Sequence, residues 1–492
     1  MKYRPMILIV TCVVLSALTI PGLAGSPTEA AAIDALLARY REARLFNGTV
    51  LVARDGKVIL EKGYGMASFE LAVPNRPDTK QWIGSVTKVF TATMVMRLTD
   101  GGKLSLDSRI SDVLPWYRKD TGEKVTVRHL LNHTSGIPDY MHLPGIGREG
   151  FQREVGDALI DVKGFSRKWC SGDLQWEPGT KWGYSNSGYV LLGAIIEAVT
   201  GQTYEEALMS LILTPAGMTR TADLAMRPRT VVEGLASGYE KFGGGYVTRR
   251  PWNISTAYAA GAMVSTVGDL YRFSQVLDRE GFLSEKAKAA MFTEGLGHWG
   301  CGWEVETLPL GPGGADRLVE GHEGFIFWSI ARIYRIPRDG VFIALINNTG
   351  DAPLKAMFAG IADILYGRMP TLPKRSVGDA LRKTLDQKGP DALAARYREL
   401  KGVEPDAWDF SEKAVNAFGY ELLQDRQLTA AVAVFRLNVD VNPGSGNAWD
   451  SLGEGLAVEG AKEEAIKAYA KAFELDPNNK NAEEVIKRLS AK

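Results

Sequence analysis

The 492-residue chain has little to offer a partner by charge, since its 58 basic and 58 acidic side chains cancel. That balance argues against a general nucleic-acid binder, which carries a basic excess. Cysteine is scarce too, with Cys12, Cys170 and Cys301 the whole complement. Cys12 falls in an N-terminal apolar run, so only Cys170 and Cys301 belong to the body of the chain. An oxidising compartment would permit a bridge between them. Their distance in sequence does not establish one, and a core this large does not need it. The apolar run, Met6 to about Ile20, only approaches the lower limit for spanning a bilayer. Lys2 and Arg4 precede it, and Pro21 and the small residues of "GLAGS" follow. This is the layout of a secretory signal over residues 1–24, cleaved after Ala24, with an uncleaved anchor as the rival reading. Thr11, in place of a small Gly or Ala before Cys12, speaks against a lipoprotein anchor. The expected location is secreted or periplasmic, with no integral membrane span once the signal is removed.

What remains is ordinary globular protein, 45% hydrophobic and 24% charged, and long enough for two to four domains. "NGTVLVARDGKVILEKGYG" reads as a β-hairpin, two β-branched runs around Asp55-Gly56. Helices are expected near Ser85–Asp100, Thr126–Asn132 and Tyr189–Thr200, and again after Thr266, where Asp269 completes a cap. Strand-like runs return in "FIFWSIARIY" and "GVFIALINN". Strands at both ends with helices between predict an α/β domain over 25–370 whose sheet joins its first and last strands. Beyond "PTLPKR" the composition turns to Ala, Leu, Glu and Lys, and the chain repeats. Gly419 and Gly453, Ala431 and Ala465, Phe435 and Tyr469, and Pro443 and Pro477 are each 34 residues apart. That is the period of a tetratricopeptide-type helix pair. The expectation is a small all-α repeat domain over 406–492, preceded by a linker and a degenerate copy over 371–405.

The chemistry is concentrated in "IGSVTKVFTATMVMRLTDGG", where Ser85 and Lys88 open a helix that is apolar almost all round. A capping box would place Glu or Gln at the third position, and no polar face is left for a lysine to use. Lysine in a first turn also opposes the helix dipole. Both penalties make sense if Lys88 acts as a neutral amine. Burial and the positive helix end lower its pKa, and one turn of helix brings it to the Ser85 hydroxyl, a poor nucleophile without a base. This is the only S-x-x-K in the chain. "WEPGTKWGYSNSGYVLLG" holds the only Y-x-N, Tyr184 and Asn186, read as a loop just before a helix, and "EGHEGFIFW" puts His322 and Gly324 at the entry to a strand.

In this order, with "TVRHLLNHTSGI" and "AAGAMVSTVGDLYRF" between and beside them, these stretches resemble the serine β-lactamase-like family of class C β-lactamases, D-alanyl-D-alanine carboxypeptidases and serine esterases. The resemblance spans roughly Ala31 to Met369. It implies an antiparallel sheet flanked by helices plus an all-helical cluster, no cofactor and no metal. It also implies Ser85 as the acylated nucleophile, Lys88 as its proton acceptor, and Tyr184 as acid and base for the leaving group and the deacylating water. Asn186 would hold Lys88 and the substrate amide. His322 would take the place of the third-motif lysine, and the N–H groups of Ser85 and Phe325 would form the oxyanion hole. The third motif here is His-Glu-Gly followed by bulky Phe325, not Lys-Thr-Gly. A neutral histidine beside Glu323 holds a carboxylate poorly, which favours an ester, an amide or a D-amino-acid peptide over a β-lactam.

His129 and His133 stand i, i+4, but no H-E-x-x-H and no third ligand accompany them, so no metal site is expected. "KFGGGY" lacks the strand and helix of a phosphate loop and reads as a flexible cleft rim. Trp176, Trp182 and Trp252 are candidates for an apolar acyl pocket. The expected function is a secreted serine hydrolase working through an acyl-enzyme on a small-molecule or peptide substrate. The alternative is a catalytically weak module that binds cell-wall peptide or a protein partner through the cleft and the repeats.

Overall fold

The computed structural model describes residues 28–143, 146–242, 244–248 and 251–490. The signal-like segment over 1–24 lies outside them. Among the described residues no helix is long and apolar enough to cross a membrane.

Helix α1 (Glu29–Glu42) leads into the hairpin β1 (Gly48–Arg54) and β2 (Lys57–Tyr64). Its two-residue turn holds Asp55 and Gly56 at φ +51° and +76°, the left-handed pair such a hairpin requires. The chain then builds a helical layer, including α2 (Thr87–Asp100), α3 (Asn186–Thr200), the short α4 (Tyr258–Gly261) and α5 (Val267–Asp278). It returns as β3 (Glu304–Leu308), β4 (Arg317–Ile326), β5 (Ser329–Ile336) and β6 (Val341–Asn347), followed by α6 (Leu354–Leu365). The six strands form one antiparallel sheet, β3-β4-β5-β6-β1-β2. The first strand pairs with the last, Gly48 opposite Asn347, as strand runs at both ends with helices between predict.

Period-two alternation then sorts the core. Val50, Val52, Tyr334 and Ile343 pack under α1 and α6, while Leu51, Ala53, Ile333 and Ala344 face the helical layer. In that layer α2 is buried almost all round, from Thr87 to Met96. Cys170 and Cys301 are buried free thiols.

The tail packs a core of its own, running from Val377 to Ala468. Helices α7 (Val377–Lys388) and α8 (Leu393–Val403) precede a run of five, α9 (Glu412–Gln424), α10 (Leu428–Val441), α11 (Gly446–Glu459), α12 (Lys462–Leu475) and α13 (Lys480–Ser490). A β-carbon on Gly419 would lie 2.4 Å from the Phe435 ring, and one on Gly453 2.8 Å from the Tyr469 ring. The same close helix crossing therefore recurs 34 residues on. Gly453→Ala is expected to destabilise the tail by about 1–3 kcal/mol, because the ring has to move off its rotamer. Urea denaturation of the full chain, followed by tryptophan fluorescence, would read it.

Arg44 ties the two parts together. Its guanidinium donates to Asp379 at 3.0 Å and to the Gly244 carbonyl at 2.7 Å. The "KFGGGY" stretch, read as a flexible rim, forms a short hairpin (Glu240–Phe242 with Gly245–Val247) whose tip rests against Arg382 of α7. A glycine-rich tip without bulky side chains is what allows that approach.

Candidate active site

Ser85 sits on a single 3-10 turn, Gly84–Val86, that feeds directly into α2. Gly84 holds φ +51° there, a conformation glycine adopts without strain. The turn leaves Ser85 part-exposed while Lys88, three residues on, is wholly buried. Lys88 Nζ lies 2.9 Å from Ser85 Oγ, 2.8 Å from Asn186 Oδ1 and 2.8 Å from the Ala260 carbonyl of α4. The last two partners can only accept. When the amine is neutral its two hydrogens are therefore held by Asn186 and Ala260, and its lone pair is left for Ser85. Burial pushes Lys88 down to about 7, with the charge of Asp139 pulling the other way. About half of the amine is then neutral at pH 7, where an ordinary lysine would leave only a few in ten thousand.

The sequence reading put Asn186 in a loop and began the helix at Tyr189. The helix begins at Asn186 itself, because the Ser185 hydroxyl caps it by accepting from Gly188 N–H. Asn186 is therefore fixed by the first turn of α3, and its amide donates to Asp139 Oδ2 at 3.0 Å. Tyr184, just outside the helix, is half-buried and shares a hydrogen bond with Ser85. Burial raises its phenol above the ordinary range, so the hydroxyl keeps its proton. Its ring lies 4.9 Å from Lys88 Nζ.

Three neighbours of this constellation receive no role at the serine from the sequence pattern. Asp139 orients Asn186 and supplies the negative charge near Lys88. His133 stacks under Tyr184 with 4.4 Å between ring centres, and its Nδ1 accepts from Ser185 N–H at 3.1 Å. Trp299 stands edge-on to His133 and His322, 4.9 and 5.1 Å away. The two histidines of the i, i+4 pair do different work: His129 Nδ1 accepts from Thr126 N–H at the start of its own helix, Val127–Leu131.

The third motif approaches from β4. Gly324 lies against the Ser85 turn, where an added β-carbon would stand 2.0 Å from the Ile83 carbonyl and 2.5 Å from Ser85 N. A β-carbon on Gly84 would stand 2.7 Å from Phe325 N. The two glycines let strand and turn touch backbone to backbone, and the Phe325 ring is turned outward, 47% exposed. His322 Nδ1 is 2.6 Å from the Glu323 carbonyl, which can only accept, so the proton is on Nδ1 and Nε2 is left as a buried, unpartnered acceptor. Burial, helped by the charge of Lys88, pushes His322 down to about 3. Arg332 is on the opposite face of the sheet and is held by Glu304 and Glu323. Among the described residues, Lys88 is the amine that this cluster turns toward the serine.

Of the three tryptophans considered for an acyl pocket, only Trp252 faces the cleft beside β4. Trp182 stacks on Trp299 at 6.1 Å, on the His322 side, and Trp176 underlies Gly136 and Gly183.

Residues 32–365 match the Beta-lactamase family. The chain belongs to that family. Within it, the chain is 29% identical over 384 residues to penicillin-binding protein 4* of Bacillus subtilis (strain 168), a match covering 74% of this chain and 81% of the relative. It is 36% identical over 209 residues to esterase EstB of Burkholderia gladioli, covering 40% of this chain and 53% of the esterase. The crystal structure of D-amino acid amidase from Ochrobactrum anthropi SV3 aligns with TM-score 0.58 and 25% identity over 68% of this chain and 98% of the amidase. This Beta-lactamase-family chain is thus a serine hydrolase with penicillin-binding-protein, esterase and amidase relatives.

Exchanging Asp139 for asparagine keeps an acceptor for Asn186 but removes the charge. A cation loses its nearby anion, so Lys88 should titrate lower still. The acid limb of the pH–rate profile is expected to move down by about 0.5–1 unit, read from kcat/KM on an activated ester.

Proposed function

We propose that this chain is a secreted or periplasmic bacterial serine hydrolase that turns over an ester, an amide or a D-amino-acid peptide through a Ser85 acyl-enzyme. The observation that carries the reading is the Lys88 amine, 2.9 Å from Ser85 Oγ and with both other partners obliged to accept. Ser85 Oγ attacks the carbonyl carbon as its proton passes to Lys88. The oxyanion that forms is met by the N–H groups of Ser85 and Phe325, brought together by the Gly84–Gly324 contact. Tyr184, whose raised pKa makes it a donor, hands its proton to the leaving group and recovers one from Lys88. Water then enters, loses a proton to the same pair, and releases the acid. Asn186 holds Lys88 and the substrate amide.

The uncharged His322 offers an acceptor where a lysine would offer a cation. That supports a neutral leaving-group side over the carboxylate of a β-lactam. The recurrent glycine–ring crossing supports reading the tail as tetratricopeptide-type repeats.

Intact mass after exposure to a fluorophosphonate tests the proposal. One label on the wild type and none on Ser85→Ala is expected. A folded wild type that takes no label would sink it and leave the cleft as a peptide-binding surface.

A further inference from the structure

Strands β4 and β5 are joined by only two residues, Phe327 and Trp328, since Ile326 pairs with Ser329. Both are left-handed, at φ +47° and +59°. Asn-Gly fills such a turn without strain, whereas two bulky aromatics do so against their steric preference. Strain of this kind persists where the surroundings hold it and where the side chains are needed. Here the turn is held on three sides. Gly350 N–H donates to the Trp328 carbonyl at 2.7 Å, Ser329 Oγ donates to the Trp82 carbonyl at 2.7 Å, and Gly238 packs against the Phe327 carbonyl with no room for a side chain.

The turn delivers its rings to one place. Phe327 meets Trp82 edge-on at 5.1 Å and Trp252 at 5.3 Å. Together with Trp328 these rings line a cleft of about 750 Å³. The cleft adjoins the nucleophile through the backbone. Gly324 rides on Ile83–Val86, and one step outward on one chain and three on the other reach Trp82 and Phe327. Among the described residues that line it, the charged ones are Asp157 and Arg229, both exposed.

We propose that this cleft is the subsite for the acyl part of the substrate, and that it selects an aryl-bearing acyl group. The inference rests on the hydrolase reading above and adds the substrate class. An aryl ring on an acyl group carried by Ser85 Oγ would lie against Trp82, Phe327 and Trp252, burying a flat apolar surface in offset or edge-on contact.

The test compares p-nitrophenyl phenylacetate with p-nitrophenyl acetate on the full chain. Wild type is expected to favour the phenylacetate by at least about tenfold in kcat/KM, the scale of burying one ring. Trp252→Ala and Trp328→Gly should each cut that preference by about fivefold, mainly through KM for the aryl ester. Glycine suits the left-handed position, so Trp328→Gly is also expected to melt no lower than wild type. A purely structural role for these rings would lower both rates together and leave the ratio where it was, which would overturn the proposal. Equal rates for the two esters in wild type would overturn it as well, while fluorophosphonate labelling of Ser85 left the catalytic reading standing. Neither turnover nor label would remove both.

Discussion

Lys88→Met is expected to slow acylation of Ser85 by about three orders of magnitude, within the range a positioned general base contributes. Methionine keeps an unbranched apolar stem of nearly the lysine's length, so the loss isolates the amine. The same amine sets a signature in the wild type. Because burial holds Lys88 near 7 and the base works only when neutral, kcat/KM should rise tenfold per pH unit below about 7 and level off above it. His322 would add no second limb in that window, since its own titration lies near 3. Tyr184 would add none either, its phenol being raised. A profile that is flat from pH 5 to 9, or a Lys88→Met variant labelled by fluorophosphonate at the wild-type rate, would show that Ser85 is activated by something else. Stopped-flow labelling of the two proteins over that range makes both comparisons in one experiment.

The parts of this site that could be seen in the sequence are those set by local geometry. Ser85 and Lys88 meet because one helical turn makes them neighbours, and the first and last strands join because apolar runs at both ends of the domain each need a neighbouring strand. The 34-residue recurrence in the tail shows because helix crossings need a small residue opposite a ring. What stayed hidden depends on contacts made across the fold. His133 reaches Tyr184 only because a left-handed residue at φ +59° turns the chain back under the Tyr184 loop. Asp139 finds Asn186 across 47 residues. Composition marks tryptophan as a pocket candidate without saying which pocket. Trp176, Trp182 and Trp252 lie in three different places, and Trp82, three residues before Ser85, carries no periodic signal because its strand is only two residues long.

That division also explains why one glycine in β4 should matter more than most of the large side chains around it. Gly324→Ala would put a methyl 2.0 Å from the Ile83 carbonyl, 2.5 Å from Ser85 N and 2.8 Å from Val86 N. All three are backbone atoms of the turn that carries the nucleophile, so no side chain can swing aside to make room. Strand and turn have to separate, and both proposed oxyanion donors move relative to Ser85 Oγ. Misplacing such donors costs about 10²–10³ in kcat, and that loss is expected here with the fold retained, because β4 keeps its pairing with β5. Gly402→Ala in α8 is the matching control. Nothing lies within 4 Å of its new methyl and its backbone is not left-handed. It should leave the rate unchanged and stabilise the helix by up to about 1 kcal/mol. Should Gly324→Ala label and turn over ester like the control, the oxyanion hole is not built from the contact between β4 and the Ser85 turn, and Phe325 N–H would lose its assigned role.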